Sequence, residues 1–263
     1  MKLFLINLDR APERLQRMSR IFADLGLEFQ RVSAIDGRKL TEEDAARWQP
    51  DLRGGYRTGE IGCFLSHREC WRRIVDEALP CAAIFEDDLH FGGDAASLLG
   101  GDAWIPEDAD VVKIETKLYP TRIDKAPSAV VGTRRLYRLR GKHAGAGGYV
   151  VSLKGATKLL RMSETLTGPV DQFVFNPALQ SAASLVTYQL FPAVCMQDFV
   201  VKDRRVLLGL GSDLHEERTE RKPRGAAKLW REVKRPFARF AGAVGRRASN
   251  LTGSNKWASI PFE

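Results

Sequence analysis

The feature that most constrains this chain is the run Ala82-Ala83-Ile84-Phe85, which follows Pro80 and ends in Glu86-Asp87-Asp88. A short stretch that is apolar at every position reads as a buried strand. Three adjacent carboxylates at its end repel one another, so they face solvent or a cation neutralises them. Hard oxygen donors suit Mg²⁺ or Mn²⁺, and such ions bridge to phosphate oxygens. A solvated acidic turn is the competing reading of the same three residues.

The rest of the chain repeats the strand-then-helix pattern around this run. Residues 2–8 read as a first strand, and 11–25 as a helix with Leu15, Met18, Ile21, Phe22 and Leu25 at helical spacing and Gly26 as its stop. Residues 29–35 alternate like a second strand and end at Asp36-Gly37. Thr41-Glu42-Glu43-Asp44 resembles a helix cap with an acidic first turn. Gly54, Gly55 and Gly59 mark a loop before a long helix over 61–78. Further strands are expected at 110–115, 136–139, 149–152 and 184–190, and helices at 154–162 and 169–175. Alternating elements of this kind give an α/β fold, with a mixed, mainly parallel sheet flanked by helices. Ligands bind at the carboxyl ends of such strands. Asn7, Asp36 and Glu86 to Asp88 all fall at such ends. A length of 263 residues allows one large α/β domain, or one domain with a small appendage, and 44% hydrophobic content supports a real core.

The charge divides the chain. Residues 216–263 hold twelve Lys and Arg against five Glu, which is +7 of the total net charge of +8. The division expected is therefore a domain over 1–215 and a basic tail over 216–263. Within the tail, Leu229, Trp230, Val233, Phe237, Phe240, Ala241 and Val244 form one apolar stripe, broken at Pro236 and flanked by Arg and Lys. That pattern fits an interfacial helix on an anionic membrane surface. A helix packed back on the domain is the alternative. No apolar run approaches the roughly 18 residues that a membrane span needs. Residues 1–10 read as a strand rather than a signal peptide. Cys63, Cys70, Cys81 and Cys195 show neither CxxC pairing nor zinc-like spacing, which fits reduced thiols in the cytosol. No nucleic-acid-binding module is present, and no nucleic-acid partner is expected.

Five segments, in order, resemble glycosyltransferase family 25, which includes bacterial lipooligosaccharide galactosyltransferases. They are residues 6–14 (Ile-Asn-Leu-Asp-Arg-Ala-Pro-Glu-Arg), 34–38 (Ala-Ile-Asp-Gly-Arg), 59–67 (Gly-Glu-Ile-Gly-Cys-Phe-Leu-Ser-His) with Trp71, 84–88, and 148–152 (Gly-Tyr-Val-Val-Ser) with Pro169-Val170-Asp171. The resemblance covers about residues 1–200. It implies a GT-A-like, Rossmann-type fold, a nucleotide-sugar donor and inversion at the anomeric carbon. The Glu-Asp-Asp triplet takes the place of the DxD motif. Galactose from UDP-galactose is the implied donor group, a lipid-linked oligosaccharide such as a lipooligosaccharide or lipopolysaccharide core is the implied acceptor, and Mn²⁺ or Mg²⁺ the implied cofactor. A cytoplasmic protein, peripheral on the cytoplasmic face of the inner membrane, follows from the same reading.

On that resemblance Asp88 is the metal ligand, with Glu86 sharing the ion or meeting the ribose and Asp87 structural. Asn7 and Arg14 are candidates for holding the base or phosphates, and Asp36 for uracil or ribose. Glu60, Ser66, His67 and Trp71 lie on or at the start of one helix. His67 and Trp71 share a face at i and i+4. That face either flanks the donor pocket or is a satisfied core. Asp171 is the expected catalytic base, with Glu115 its competitor and the neighbouring Lys113 a donor-binding candidate. Gln197-Asp198 is a further candidate for closing the donor site. Gly145, Gly147 and Gly148 are expected to shape the backbone, and His143 beside them is left unassigned. Two alternatives use the same carboxylates. One is a metal-dependent phosphodiesterase, which would need a second, His-containing ligand cluster. The other is an inactive relative that binds nucleotide sugar.

Overall fold

In the computed structural model, residues 1–48, 58–201, 250 and 253–263 are described. The first part alternates strand and helix: β1 (Lys2–Asn7), α1 (Pro12–Asp24), β2 (Gln30–Ser33), α2 (Glu42–Trp48), α3 (Thr58–Asp76) and β3 (Cys81–Glu86). There follow β4 (Leu89–Phe91), α4 (Ala95–Leu99), β5 (Val111–Lys113), β6 (Glu115–Thr116), β7 (Pro120–Asp124), β8 (Ala129–Val131) and β9 (Arg134–Arg138). The last elements are β10 (Gly148–Ser152), α5 (Leu153–Met162), α6 (Val170–Phe175), α7 (Gln180–Ala183), β11 (Thr187–Phe191), β12 (Cys195–Gln197) and β13 (Asn255–Ser259).

The main sheet has eight strands in the order β2-β1-β3-β10-β5-β11-β9-β8. Six of the eight run in one direction, and β10 and β9 run against them. The sheet is covered on both faces, which explains why the strand at 82–85 has no polar position. Phe4, Ile6, Ala82 and Ile84 point to one side, where Phe64, Trp71, Leu159 and Phe173 of α3, α5 and α6 pack. Leu3, Leu5, Ala83 and Phe85 point to the other, against Met18 and Phe22 of α1 and Leu98 and Leu99 of α4. Alternate residues therefore serve two cores. Each large side chain so buried contributes about 1.5–3 kcal/mol. Helix α1 starts with Pro12 at its first position and Glu13 in its first turn, both suited to a helix N-terminus. Ser152 caps α5 by accepting from Gly155 N at 3.1 Å.

Several expected boundaries move. Helix α3 begins at Thr58, so Gly59 lies in its first turn and not in a loop. The strand expected over 110–115 breaks at Ile114. β5 stays in the main sheet, while β6 pairs with β12 in a second sheet of order β4-β12-β6. The Ile114 carbonyl accepts from both Val194 N and Cys195 N, at 2.9 and 3.2 Å, so it serves the second sheet.

The chain end also differs from an appended tail. β13 pairs antiparallel with β7, Ile260 is fully buried, and Ala193 N donates to Pro261 O at 2.8 Å. Residues 253–263 thus belong to the folded body. The basic stripe over 226–247, the turn at 209–212, and Gly54 and Gly55 lie outside the described residues. The four cysteines are free thiols. Among the described residues no helix is long and apolar enough to cross a membrane.

Candidate active site

β1 and β3 are parallel neighbours with Ile6 opposite Glu86, so Asn7 and the acidic triplet emerge side by side at the carboxyl edge of the sheet. They open into a cavity of about 210 Å³. At its floor the amide nitrogen of Gln197 donates to Glu86 Oε2 at 2.6 Å and lies 3.2 and 3.3 Å from the two carboxylate oxygens of Asp88. One N–H₂ group thus faces three carboxylate oxygens, where a cation would serve better. The partner oxygen, Gln197 Oε1, is buried and unpaired. Burial, with the charges of Glu86 and Asp87 beside it, pushes the Asp88 carboxyl up to about 8. Two hard, crowded carboxylates and an orphaned amide oxygen fit a divalent ion, with Asp88 and Glu86 as its holders.

Glu86 is held differently. Burial raises its carboxyl, but the contacts from His67 and Cys63 and the nearby charge of Lys117 together bring the net direction down. His67 Nε2 lies 3.3 Å from Glu86 Oε1, and His67 Nδ1 lies 2.9 Å from Tyr149 Oη. Trp71 Nε1, a donor only, donates to the same Tyr149 oxygen at 2.9 Å. The phenolic proton then goes to His67 Nδ1, which leaves Nε2–H facing Glu86. Of that helix face, Trp71 is buried in the core, while His67, equally buried, lines the cavity. Cys63 Sγ sits 3.7 Å from Glu86 Oε1, and burial pushes its thiol up. Cys63, His67 and Glu86 form a group able to hold a metal ion. The assigned His67 proton makes the contact to Glu86 a hydrogen bond.

Asp87 turns away from that pair. It accepts from Asn7 Nδ2 at 2.7 Å and Arg14 Nη1 at 3.2 Å, which ties β1 and α1 to the triplet. Burial, only partly offset by these donors, raises its carboxyl. Asn7 is further held by Ala11 O and Arg31 Nε. Asn7 and Arg14 both line the cavity. Asp36 lies at its rim and accepts from Arg38 N at 3.0 Å and Arg10 Nε at 3.1 Å. Burial raises the Asp36 carboxyl, but these bonds hold it low overall. Ser66 latches α3 to this rim, donating to Gly62 O at 2.7 Å and accepting from Ile35 N at 2.8 Å. Gly62 lets the helix approach: a Cβ there would lie 2.4 Å from Ile35 O. Glu60 lines the same wall.

Asp171, in the first turn of α6, also lines the cavity and accepts from Gly145 N at 3.2 Å. Its competitor fares otherwise. Glu115 is fully buried, accepts from Gly147 N at 2.9 Å and pairs with Lys113 Nζ at 3.3 Å. Lys113 is equally buried, donates to Ala144 O and Gly145 O, and sits 4.1 Å from the centroid of the Phe175 ring. Neither residue lines the cavity. Glu115, expected as a competing base, and Lys113, expected as a donor-binding group, are instead found holding the glycine turn through Gly147 N and Gly145 O. Asp198 likewise stays out of the cavity, bonded to His90 at 2.8 Å. His143 is buried, with Nδ1 2.8 Å from Gln189 Oε1, and burial drives it down to about 3. Sequence reasoning missed Cys63, Tyr149, Lys117 and Phe199. Cys63 carried a signal, four residues before His67 on one helix face. Lys117 and Phe199 carried none.

The model of a family described as "Glycosyltransferase family 25 (LPS biosynthesis protein)" matches residues 1–174. The chain belongs to glycosyltransferase family 25. It is 30% identical over 254 residues to the lacto-N-neotetraose biosynthesis glycosyltransferase LgtE of Neisseria meningitidis serogroup B, covering 89% of this chain and 88% of that one. It is 32% identical over 231 residues to LgtB of Neisseria gonorrhoeae, covering 82% of each. It is 29% identical to the lipooligosaccharide biosynthesis protein lic2B of Haemophilus influenzae, over 74% of this chain and 75% of that one. Family 25 membership makes the protein a glycosyltransferase and removes the phosphodiesterase alternative. The histidines agree: among the described residues His67, His90 and His143 occupy three separate hydrogen-bonded sites.

Proposed function

We propose that this family 25 enzyme transfers galactose from UDP-galactose, with inversion, to a lipid-linked oligosaccharide of the lipooligosaccharide or lipopolysaccharide core type. The observation that carries this reading is the pair Glu86 and Asp88, crowded around one amide nitrogen in a cavity that Asp171 also lines. The names of the Neisseria and Haemophilus relatives support the acceptor class.

Asp88 and Glu86 hold Mn²⁺ or Mg²⁺. Such an ion, when bound, supplies positive charge to the leaving diphosphate. Asn7, Arg14 and Asp36, along one rim, bind the nucleotide, and Ser66 and Glu60 shape the wall beside it. The acceptor hydroxyl attacks C1 from the face opposite the diphosphate, and Asp171 takes its proton as general base. Gly145 N–H on one Asp171 oxygen orients the carboxylate for that task.

The basic segment within 216–249 docks the enzyme on anionic lipid at the cytoplasmic face of the membrane. Truncation at 215 would also remove β13, so the clean test keeps the whole chain and replaces Lys228, Arg231, Lys234 and Arg235 with Glu. Loss of binding to anionic vesicles is expected, and unchanged binding would reject the docking role.

For the chemistry, the deciding measurement is a calorimetric titration of UDP and UDP-galactose, with Mn²⁺ and then with EDTA, on wild type and Asp88→Asn. Metal-dependent binding that the substitution removes is the expected result. Absence of nucleotide binding under every condition would end the UDP-sugar reading.

A further inference from the structure

We propose that Lys117 is the protein's own cation for the donor diphosphate, an inference that rests on the nucleotide-sugar reading above. Lys117 follows β6 and lines the cavity. Two arginines of the lining are tied to acids, Arg10 to Asp36 and Arg14 to Asp87. Lys117 makes no ion pair within 4.0 Å among the described residues. Its Nζ rests 4.7 Å from the centroid of the Phe199 ring, which also lines the cavity. A cation held by a ring face keeps its charge available to an incoming anion.

Two features aim it. The Lys117 stem passes over Gly145, where a Cβ would lie 2.4 Å from Lys117 Cε. Gly145 has φ +90°, a conformation that L side chains rarely adopt. The next residue, Leu118, has φ +59°, an uncommon conformation for a residue with a bulky side chain. The turn is fixed from behind by Thr116, whose Oγ1 accepts from Leu118 N at 2.9 Å and donates to Ile260 O at 2.7 Å. Thr116 and Ile260 are fully buried. Strained backbone held by buried partners is a mark of a positioned group.

The contrast with Lys113 is informative. Lys113 is engaged by Glu115 and two carbonyls, whereas Lys117 lines the cavity and, among the described residues, rests on the Phe199 ring without an ion pair. In the transfer step the C1–oxygen bond to the diphosphate breaks and its electron pair goes to the β-phosphate oxygen. The new bond forms from the acceptor oxygen to C1, and the acceptor proton goes to Asp171. Lys117 transfers no proton and stabilises the charge that builds on the departing oxygen. A lysine suits this as a point charge on a flexible stem.

The test is calorimetry of UDP and of UMP, in Mn²⁺, on full-length wild type, Lys117→Met and Lys117→Arg. Lys117→Met is expected to weaken UDP at least about tenfold while leaving UMP unchanged, with Lys117→Arg restoring most of the loss. UDP affinity unchanged in Lys117→Met, or equal losses for UDP and UMP, would overturn the proposal and leave the nucleotide site standing. A wild type that binds neither nucleotide would overturn both.

Discussion

Two acidic strand ends lie near each other, and they serve opposite purposes. The end of β3 carries Glu86, Asp87 and Asp88, and the break between β5 and β6 carries Lys113 and Glu115. All five residues are largely withdrawn from solvent. At the β5–β6 break the counter-charge is built in: Lys113 faces Glu115 Oε2 at 3.3 Å, Gly147 N donates to the same oxygen, and Glu115 Oε1 is left buried without a hydrogen bond. At the end of β3 only part of the charge is matched. Arg14 pairs with Asp87 and His67 gives Glu86 a hydrogen bond, while among the described residues the side-chain donor to Asp88 is the Gln197 amide, and Asp88 is pushed up to about 8. Burying a carboxylate is costly without a partner. A chain that supplies the partner makes a brace, and one that withholds it leaves a binding site.

That contrast can be broken by substitution. The largest effect is expected at Asp88: Asp88→Asn should cut sugar transfer by at least about a thousandfold in a folded protein, measured by product formation beside circular dichroism. Near-wild-type turnover would place the β3 end with the braces. Lys113→Met should instead cost about 3–5 kcal/mol of stability, because it strands a buried Glu115 charge, and denaturant titration would read it. A small shift in midpoint would contradict the brace. The two candidate bases separate by a smaller effect. Asp171→Asn should slow the rate at saturating acceptor about a hundredfold, whereas Glu115→Gln should leave the rate per folded molecule unchanged.

The smallest expected effect is on pH dependence. The folded-state carboxyl of Asp88 lies near 8, against an ordinary value of 3.8. Between those values the folded protein keeps a proton that the unfolded chain has lost. Asp88 therefore destabilises the ion-free fold progressively as pH rises from about 4 to about 8. In EDTA, the melting temperature of Asp88→Asn should gain on wild type by a few degrees across that window. Parallel curves would refute the shift. His143 acts in the other sense: driven down to about 3, it stabilises the fold above its ordinary value of 6.5, and this is lost as pH falls toward 3.

Much of the site was legible before the fold was known, because local sequence carries it. Glu86 to Asp88 end an apolar run, Asn7 and Asp36 follow periodic strands, and His67 sits on an amphipathic helix. Asp171 and Glu115 looked alike at that stage, since both are acids beside an element end. The structure separates them by the break at Ile114, which sends Glu115 inward behind the glycine turn. Residues 216–263 read by charge as one tail, yet 253–263 return to pair with β7, a long-range register that composition does not encode.

By itself the sequence determined the covered sheet, the parallel strand ends where ligands gather, and the acidic triplet, because hydrophobic period and residue chemistry act over a few neighbours. Only the tertiary structure decided which charges are matched. Lys113 meets Glu115, Gln197 reaches the triplet across more than a hundred residues, and Lys117 lies over the Phe199 ring. Whether a buried charge braces the fold or awaits a ligand depends on partners brought by distant segments, and that depends on packing.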